Sequence, residues 1–545
     1  MTTSTNDFDL LDQPWISAID THGTPQQLSL RDVFAAAHDL SAITGELPTQ
    51  AFAILRLLLT VLRRSVAARP GSAATVWEDL WRAPILPVAE IDEYLARYAD
   101  RFHLLDPEKP FFQVAGLRSA ADAVSGLDRV IADVPNGEKY FTTRAGEAVQ
   151  RIGFAEAARW VVHVHAFDPS GIKTGAVGDA RVKNNKGYPI GVAWTGNLGG
   201  VFVEGATVRE TLLLNLVLLD TNGARFDGDD LPVWERDPYG PAQRQDRRPA
   251  GPADLCTWQS RRVRLVHDGA HVTGVVLCNG DALDPANQHL LEPMTAWRYS
   301  PAQTKKSGRP QHYPMTHDPR RALWRGFASL IAEVANTGDT QQRAIAAGVM
   351  EWIRYLLDEE ALSPTHPVRL HATGMQYINN QSVVGDIFDD TLGFRVGLLS
   401  SDPDLRTCAI GAVQVAEDCV EAIATLAGNL ALAAGGDSQG ARDRARERSF
   451  FDLEAPYRRW LAGLAPRADQ RSAPYEDHWQ QTVRTVIEPV AHDLVSAAGA
   501  PAWVGREVQG RHLDTGLAQK WFHARLRRTL PAAYPRTTTE KEPAA

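Results

Sequence analysis

Over 49–64 the chain is apolar nearly all round a helix, with Phe52, Ile54, Leu55, Leu57, Leu58, Leu59, Val61 and Leu62 leaving almost no polar face. A helix that is apolar nearly all round belongs in a core, so this segment is expected to anchor the N-terminal half. Upstream, Ser29-x-x-Asp32 predicts a helix start with a capping box in which Asp replaces the usual Glu. A second apolar helical pattern covers 209–219. The valine-rich segments 263–266 and 272–277 flank His267-Asp-Gly-Ala-His271, whose Asp-Gly predicts a hairpin. Helices are expected over about 319–334 and 341–357, and Val368, Leu370 and Ala372 alternate with polar neighbours as a half-buried strand does. From Asp404 onward no strand is expected. Helical patterns fill 405–434, 438–464, 475–498 and 514–530, separated by Gly435-Gly436, Pro466 and Pro501, and four amphipathic helices with short links pack most simply as a four-helix bundle.

Between about Asp133 and Gly205 the pattern breaks into glycine-rich loops with scattered lysines, and 236–248 and 301–321 read as exposed basic connections. At 545 residues the chain is about three to four times a typical domain, which implies one large domain plus at least one smaller one. Hydrophobic residues at 44% and charged residues at 23% are ordinary for a globular protein. The most apolar uncharged stretch, 422–436, is too short to cross a bilayer. Met1 to Asp9 has neither a basic nor an apolar signal region, so the cytoplasm is the expected compartment. Cys256, Cys278, Cys408 and Cys419 form no Cys-x-x-Cys pair, which points to small buried hydrophobes rather than a disulfide framework or zinc site. A formal charge of −9 counts against general nucleic-acid binding, although a basic groove can sit on an acidic body.

The common catalytic signatures are missing: there is no phosphate loop, no His-Glu-x-x-His, no Gly-x-Ser-x-Gly and no dinucleotide fingerprint. Four His-Asp dipeptides lack companions at metal-ligand spacing. Asp386, Asp389 and Asp390 could hold Mg²⁺ in a metal-dependent nuclease or phosphohydrolase, with the blander expectation that Asp389-Asp390 ends a loop and starts a helix. His163-Val-His165 reads as two imidazoles on one strand face with a structural role. Lys173, Lys183 and Lys186 stand among glycines, a composition that suits phosphate contact but also an ordinary solvated loop. Asn379-Asn380-Gln381 offers three amides able to read base edges, and is equally a turn former.

Taken in order, Asp9-Leu-Leu-Asp-Gln-Pro-Trp15, Leu55-Arg-Leu-Leu-Leu59, Pro110-Phe-Phe-Gln113, Gly199-Gly-Val-Phe-Val-Glu-Gly205, Thr211-Leu-Leu-Leu-Asn-Leu216 and Gly374-x-x-Tyr-x-Asn-Asn-Gln381 resemble the large-subunit (CasA) family of the type I-E CRISPR surveillance complex, Cascade. The resemblance covers nearly the whole chain and implies an α+β fold. A large mixed α/β N-terminal domain over 1–400 is followed by an all-α four-helix bundle over 401–535 and a disordered tail over 536–545. It implies a non-catalytic subunit without cofactor or metal. Such a subunit recognises the protospacer-adjacent motif (PAM) of double-stranded target DNA from the minor-groove side, starts strand separation and helps recruit the helicase-nuclease. Its other partners are the crRNA and the backbone, handle-capping and small subunits, and base pairing with the crRNA supplies the remaining specificity.

Carried onto this chain, the resemblance makes Asn380 and Gln381 the wedge beside the PAM. Gly175, Ala176, Val177 and Gly178 become the Gly-rich PAM loop. Val134, Pro135 and Asn136 fall in the loop that engages the crRNA handle and a neighbouring subunit. The family's lysine finger has no match around 287–289, so Lys305 or Lys306 would have to substitute. Candidate DNA-backbone contacts are therefore Lys173, Lys183, Lys186, Lys305 and Lys306.

Overall fold

The computed structural model describes residues 7–134, 142, 144, 146–220, 223–226, 228–244, 247–331, 344–400, 403–465 and 472–534. Pro135, Asn136 and the 536–545 tail lie outside them. Two compact units form. One comprises Met1–Leu323, Ser329–Ser363 and Val368–Thr391, the other Trp324–Ala328, Pro364–Pro367 and Leu392–Ala545. The second unit thus begins at Leu392 and takes up two short earlier segments. Trp324 packs on Tyr457 and Phe327 on Phe394, which explains why those residues leave the first unit.

In the first unit the helix Pro48–Ser65 is buried along almost its whole length. At its centre Arg56 makes a two-pronged pair with Glu292 at 2.8 and 2.7 Å, with side chains only 1% and 0% exposed. Burial alone would raise the Glu292 carboxyl, but the guanidinium outweighs it and holds the group below the usual carboxylate range. The Ser29 hydroxyl accepts from the Asp32 amide and the Asp32 carboxylate accepts from the Ser29 amide, completing the expected capping box. The expected hairpin is also present, as Arg261–His267 paired with Val272–Asn279.

A three-stranded sheet carries Pro367–Ile378 at its centre, flanked by Gly200–Glu204 and Val383–Arg395, with Arg369 opposite Glu204 and Thr373 opposite Gly200. The helix expected over 209–219 is Val208–Leu214. Asn215 stops it by bonding both the amide and the carbonyl of Val203 in the neighbouring strand, at 2.9 and 2.7 Å.

Other sequence expectations are corrected. His163 and His165 lie on the helix Phe154–Phe167, not a strand; it is buried over nearly all of 157–167, so its valines follow the core rather than β propensity. Asp386, Asp389 and Asp390 lie within the strand Val383–Arg395 and start no helix. The 301–321 stretch contains the helix Pro301–Ser307, closed by Gly308 with φ +72°. Of the arginines in 236–248, Arg236, Arg244 and Arg247 are half-buried and Arg248 is exposed: Arg247 stacks 4.3 Å over Trp258, and Arg236 and Arg247 both pair with Asp254. The later expected helices are Leu323–Ile331 and Gly348–Asp358, with 332–343 outside the described residues.

In the second unit Asp404–Ala433 is the central helix, against which Ser438–Ala462, Ala473–Ser496 and Thr515–Thr529 all pack. Alanines at 409, 412, 416 and 424 keep its surface low, so that Tyr457 and Trp479 reach its backbone and donate to the carbonyls of Ala409 and Ala412 at 3.2 and 2.8 Å. The expectation of no strand after Asp404 fails at Arg506–Val508 and Arg511–Leu513. These are three-residue strands around a Gln509-Gly510 turn, too short to show alternation.

Candidate nucleic-acid interface

The strands Pro367–Ile378 and Val383–Arg395 are joined by a turn whose residues Asn379, Asn380 and Gln381 all have positive φ, at 50°, 57° and 65°. Asn tolerates this conformation because its short amide bonds locally, whereas three such residues in succession need an outside support. The Ser382 hydroxyl provides part of it by donating to the Asn379 carbonyl at 2.7 Å, and the Ser170 amide donates to the Gln381 carbonyl at 2.9 Å. Below the turn, the Tyr377 hydroxyl donates to the Phe167 carbonyl at 2.6 Å, and Gly196 leaves the space its ring occupies. All three amide side chains are exposed.

The turn after Phe167 is held from inside. Asp168 is buried between Arg261 and Lys173, with the Lys173 ammonium at 2.6 Å, and Arg261 also donates to the carbonyls of Pro169 and Gly191. Burial would raise the Asp168 carboxyl, but the two cations outweigh it and keep it ionised below its ordinary range. Lys173 is thus a structural cation.

From that anchor the chain forms a short hairpin, Lys173–Thr174 against Lys186–Gly187. Lys183 and Lys186 exchange both backbone bonds around Asn184 and Asn185, whose φ of 51° and 61° make a type I′ turn, and both lysines are exposed. Gly175 is a packing glycine, because a Cβ there would lie 2.4 Å from Val182 Cγ1. Its amide bonds the Asn185 carbonyl and the Val177 amide bonds the Arg118 carbonyl. Gly175 and Ala176 are buried, so of the four loop residues Val177 and Gly178 face solvent, Gly178 with φ +94°.

Val134 and the segment 128–132 line a cavity of about 210 Å³ together with 168–173 and Ser382 to Val384, so Val134 and the base of the 379–381 turn share a wall. Lys305 and Lys306 are exposed on the helix that connects Trp297–Tyr299 to His312–Pro314. Asn287 secures this projection by bonding the His312 amide and the Pro310 carbonyl.

The acidic rivals do not converge. Asp389 accepts from His371 Nε2 at 2.6 Å and Asp390 caps the Leu323 amide at 2.8 Å. Neighbouring strand residues point to opposite faces, and Asp386 is about 13 Å along the strand from Asp390, so the three cannot close on one ion. His163 bonds Thr49 Oγ1 at 3.0 Å, and His165 donates Nε2–H to the Phe112 carbonyl at 2.8 Å. Burial pushes both imidazoles down to about 3, which leaves them neutral core groups. Sequence reasoning missed Asp168, Arg261 and Ser170, which position the two loops; Gly-rich flanks signalled a turn there but not its buried anchor.

Comparison with known proteins bears on the family and the fold. The model of the family described as CRISPR-associated protein Cse1 matches residues 9–488. The CRISPR-associated protein CasA/Cse1 of Thermus thermophilus is 27% identical over 501 residues, covering 88% of this chain and 90% of that protein. The crystal structure of Thermobifida fusca Cse1 is 44% identical with a TM-score of 0.90, over 98% of this chain and 100% of that one. Cse1 from Acidimicrobium ferrooxidans is 29% identical with a TM-score of 0.81, over 97% and 99%. A chain of a CRISPR RNA-guided surveillance complex shares the fold at 19% identity, with a TM-score of 0.70 over 95% and 99%.

Proposed function

The chain belongs to the CRISPR-associated Cse1 (CasA) family, the large subunit of the type I-E complex Cascade, and from that membership we propose that it reads the PAM of target DNA and begins strand separation. The observation that carries this reading is the exposed turn of three left-handed residues, Asn379 to Gln381, braced by Ser170 and Ser382. A braced turn can enter a minor groove without collapsing, and its planar amides can pair with base edges to offset part of the unstacking cost of a few kcal/mol per step. The minor groove mainly separates A·T from G·C, so PAM variants should be tolerated. Gly178 lets the neighbouring backbone approach the duplex, and Lys183, Lys186, Lys305 and Lys306 supply phosphate contacts.

In this reading the subunit is not an enzyme and acts in the cytoplasm. It is seated by the crRNA handle, through the loop containing Val134, and by the backbone, handle-capping and small subunits, and it helps recruit the helicase-nuclease. The test is binding of the reconstituted complex to duplexes with matched and mutated PAMs, comparing wild type with Gln381→Ala at two salt concentrations. Selective loss on the matched PAM with an unchanged salt slope supports the reading. Equal binding by both proteins removes the wedge from recognition.

A further inference from the structure

The strip 118–120 runs antiparallel to 175–177. The Val177 amide donates to the Arg118 carbonyl at 3.0 Å, the Ala120 amide donates to the Gly175 carbonyl at 2.7 Å, and Ser119 stands opposite Ala176. Successive side chains along paired strands face opposite sides. Ser119 and Ala176 are 7% and 3% exposed and take the inner side, so the outer side carries Arg118 and Val177, both exposed. Residues opposite one another in such a pairing have Cα atoms about 5.5 Å apart or less, which sets Arg118 against the part of the loop that faces solvent.

A second arginine reaches the same stretch of chain. Arg264 is an exposed position of the strand Arg261–His267, and its Nη1 lies 4.0 Å from the point a Cβ would occupy on Gly116, two residues before Arg118. Among the described residues neither guanidinium has a hydrogen-bond or ion-pair partner, and Asp122, four residues past Arg118, pairs with neither. Neighbouring arginines are engaged: Arg181 holds Asp179, Arg261 holds Asp168 and Arg262 holds Asp281. Two unpaired guanidinium groups on a chain of formal charge −9 attract an anion, and their planar forks of donors match phosphate better than an ammonium does. We propose that Arg118, with Arg264 beside it, binds a backbone phosphate of target DNA lying over Val177. The contact would fix how closely the 175–178 backbone approaches the duplex, without reading sequence itself. The proposal rests on the PAM reading and adds to it a phosphate site on a segment the lysines do not occupy.

The test uses the reconstituted complex and duplexes in which one phosphate at a time, in and around the PAM on either strand, is replaced by an uncharged methylphosphonate. With wild type, replacing the contacted phosphate should weaken binding several-fold. With Arg118→Ala, an exposed side-chain change that keeps the backbone bond to Val177, the same replacement should have no further effect, while other sensitive phosphates stay sensitive. On unmodified duplex Arg118→Ala should reduce the slope of log affinity against log salt by about 0.9 and weaken matched and mutated PAMs alike, and Arg118→Lys, which keeps the charge, should restore the slope. Arg264→Ala should blunt the same phosphate or its neighbour, and sensitivity that survives there removes Arg264 from the contact. If no phosphate loses its sensitivity in Arg118→Ala, the proposal falls, whether the arginine is idle or meets an acidic protein surface. The PAM reading stands in that case as long as wild type separates matched from mutated PAMs, and failure of wild type to separate them brings down the PAM reading itself.

Discussion

The Ser170 amide and the Gln381 carbonyl, 2.9 Å apart, tie the tip of one loop to the turn from which the other departs. Ser170 is three residues from Lys173, where the lysine-bearing hairpin begins, and Asp168 just before it is fixed by Arg261 from a strand 93 residues away. The 379–381 turn and the 173–187 hairpin therefore share one buried support, and a change at either should be felt at the other.

The left-handed turn makes a prediction about backbone strain. Asn380→Gly should change stability by less than about 0.5 kcal/mol, since relief of the positive φ offsets the greater freedom of the unfolded chain. Asn380→Val places a β-branched residue at φ 57° and should cost about 1–2 kcal/mol. Thermal denaturation of the two variants checks the difference; equal melting temperatures would mean that the turn relaxes without cost.

Gly175 carries a packing argument. A Cβ there would meet Val182 Cγ1 at 2.4 Å and Cγ2 at 2.8 Å, too close for either to stay in place. Gly175→Ala should cost about 1–3 kcal/mol through overpacking. Val182→Ala removes both offending methyls, so the double variant should recover most of that loss, and a double-mutant cycle by chemical denaturation measures the coupling.

Legibility in the sequence followed the range of the interactions. The capping box at Ser29 and Asp32, the helix Pro48–Ser65 and the Asp-Gly hairpin are set by neighbours a few residues apart, and all three stand in the structure. The strand Pro367–Ile378 showed its alternation, yet its partner Val383–Arg395 did not, because acidic residues interrupt the pattern and find their partners far away. Asp389 meets His371 and Asp390 meets the Leu323 amide. The turn between the two strands was visible as Asn-Asn-Gln, but its brace was not. Ser170 is chemically ordinary, and only folding brings it to Gln381 across more than two hundred residues.

His371 predicts a pH dependence. Its ring bonds Glu204 through Nδ1 at 2.7 Å and Asp389 through Nε2 at 2.6 Å, bridging the three strands of one sheet. Burial alone would lower its pKa, but the two carboxylates outweigh it and push it up to about 9, against about 6.5 for a free imidazole. A group whose pKa rises on folding contributes stability that is complete below the unfolded value and disappears as pH climbs through the folded one. The stability advantage of wild type over His371→Gln should therefore be full at pH 6, shrink between about 6.5 and 9, and vanish near pH 10. Melting temperatures of both proteins across that range give the answer, and a constant difference would show that His371 stays neutral.

Lys183 and Lys186 make the sharpest electrostatic prediction. Both are exposed at a type I′ turn that holds them on one projecting hairpin, whereas Lys173 is occupied by Asp168. A lysine that neutralises one phosphate releases about 0.9 counterion on duplex DNA, so each loss should lower the slope of log affinity against log salt by about 0.9. In the reconstituted complex, Lys183→Ala with Lys186→Ala should reduce that slope by nearly 2 and weaken matched and mutated PAM targets alike, because phosphate contacts carry no sequence information. Lys173→Met should act differently, since it leaves Asp168 with Arg261 alone and costs stability rather than salt dependence. A salt slope unchanged by the double variant would move the phosphate contacts to Lys305 and Lys306.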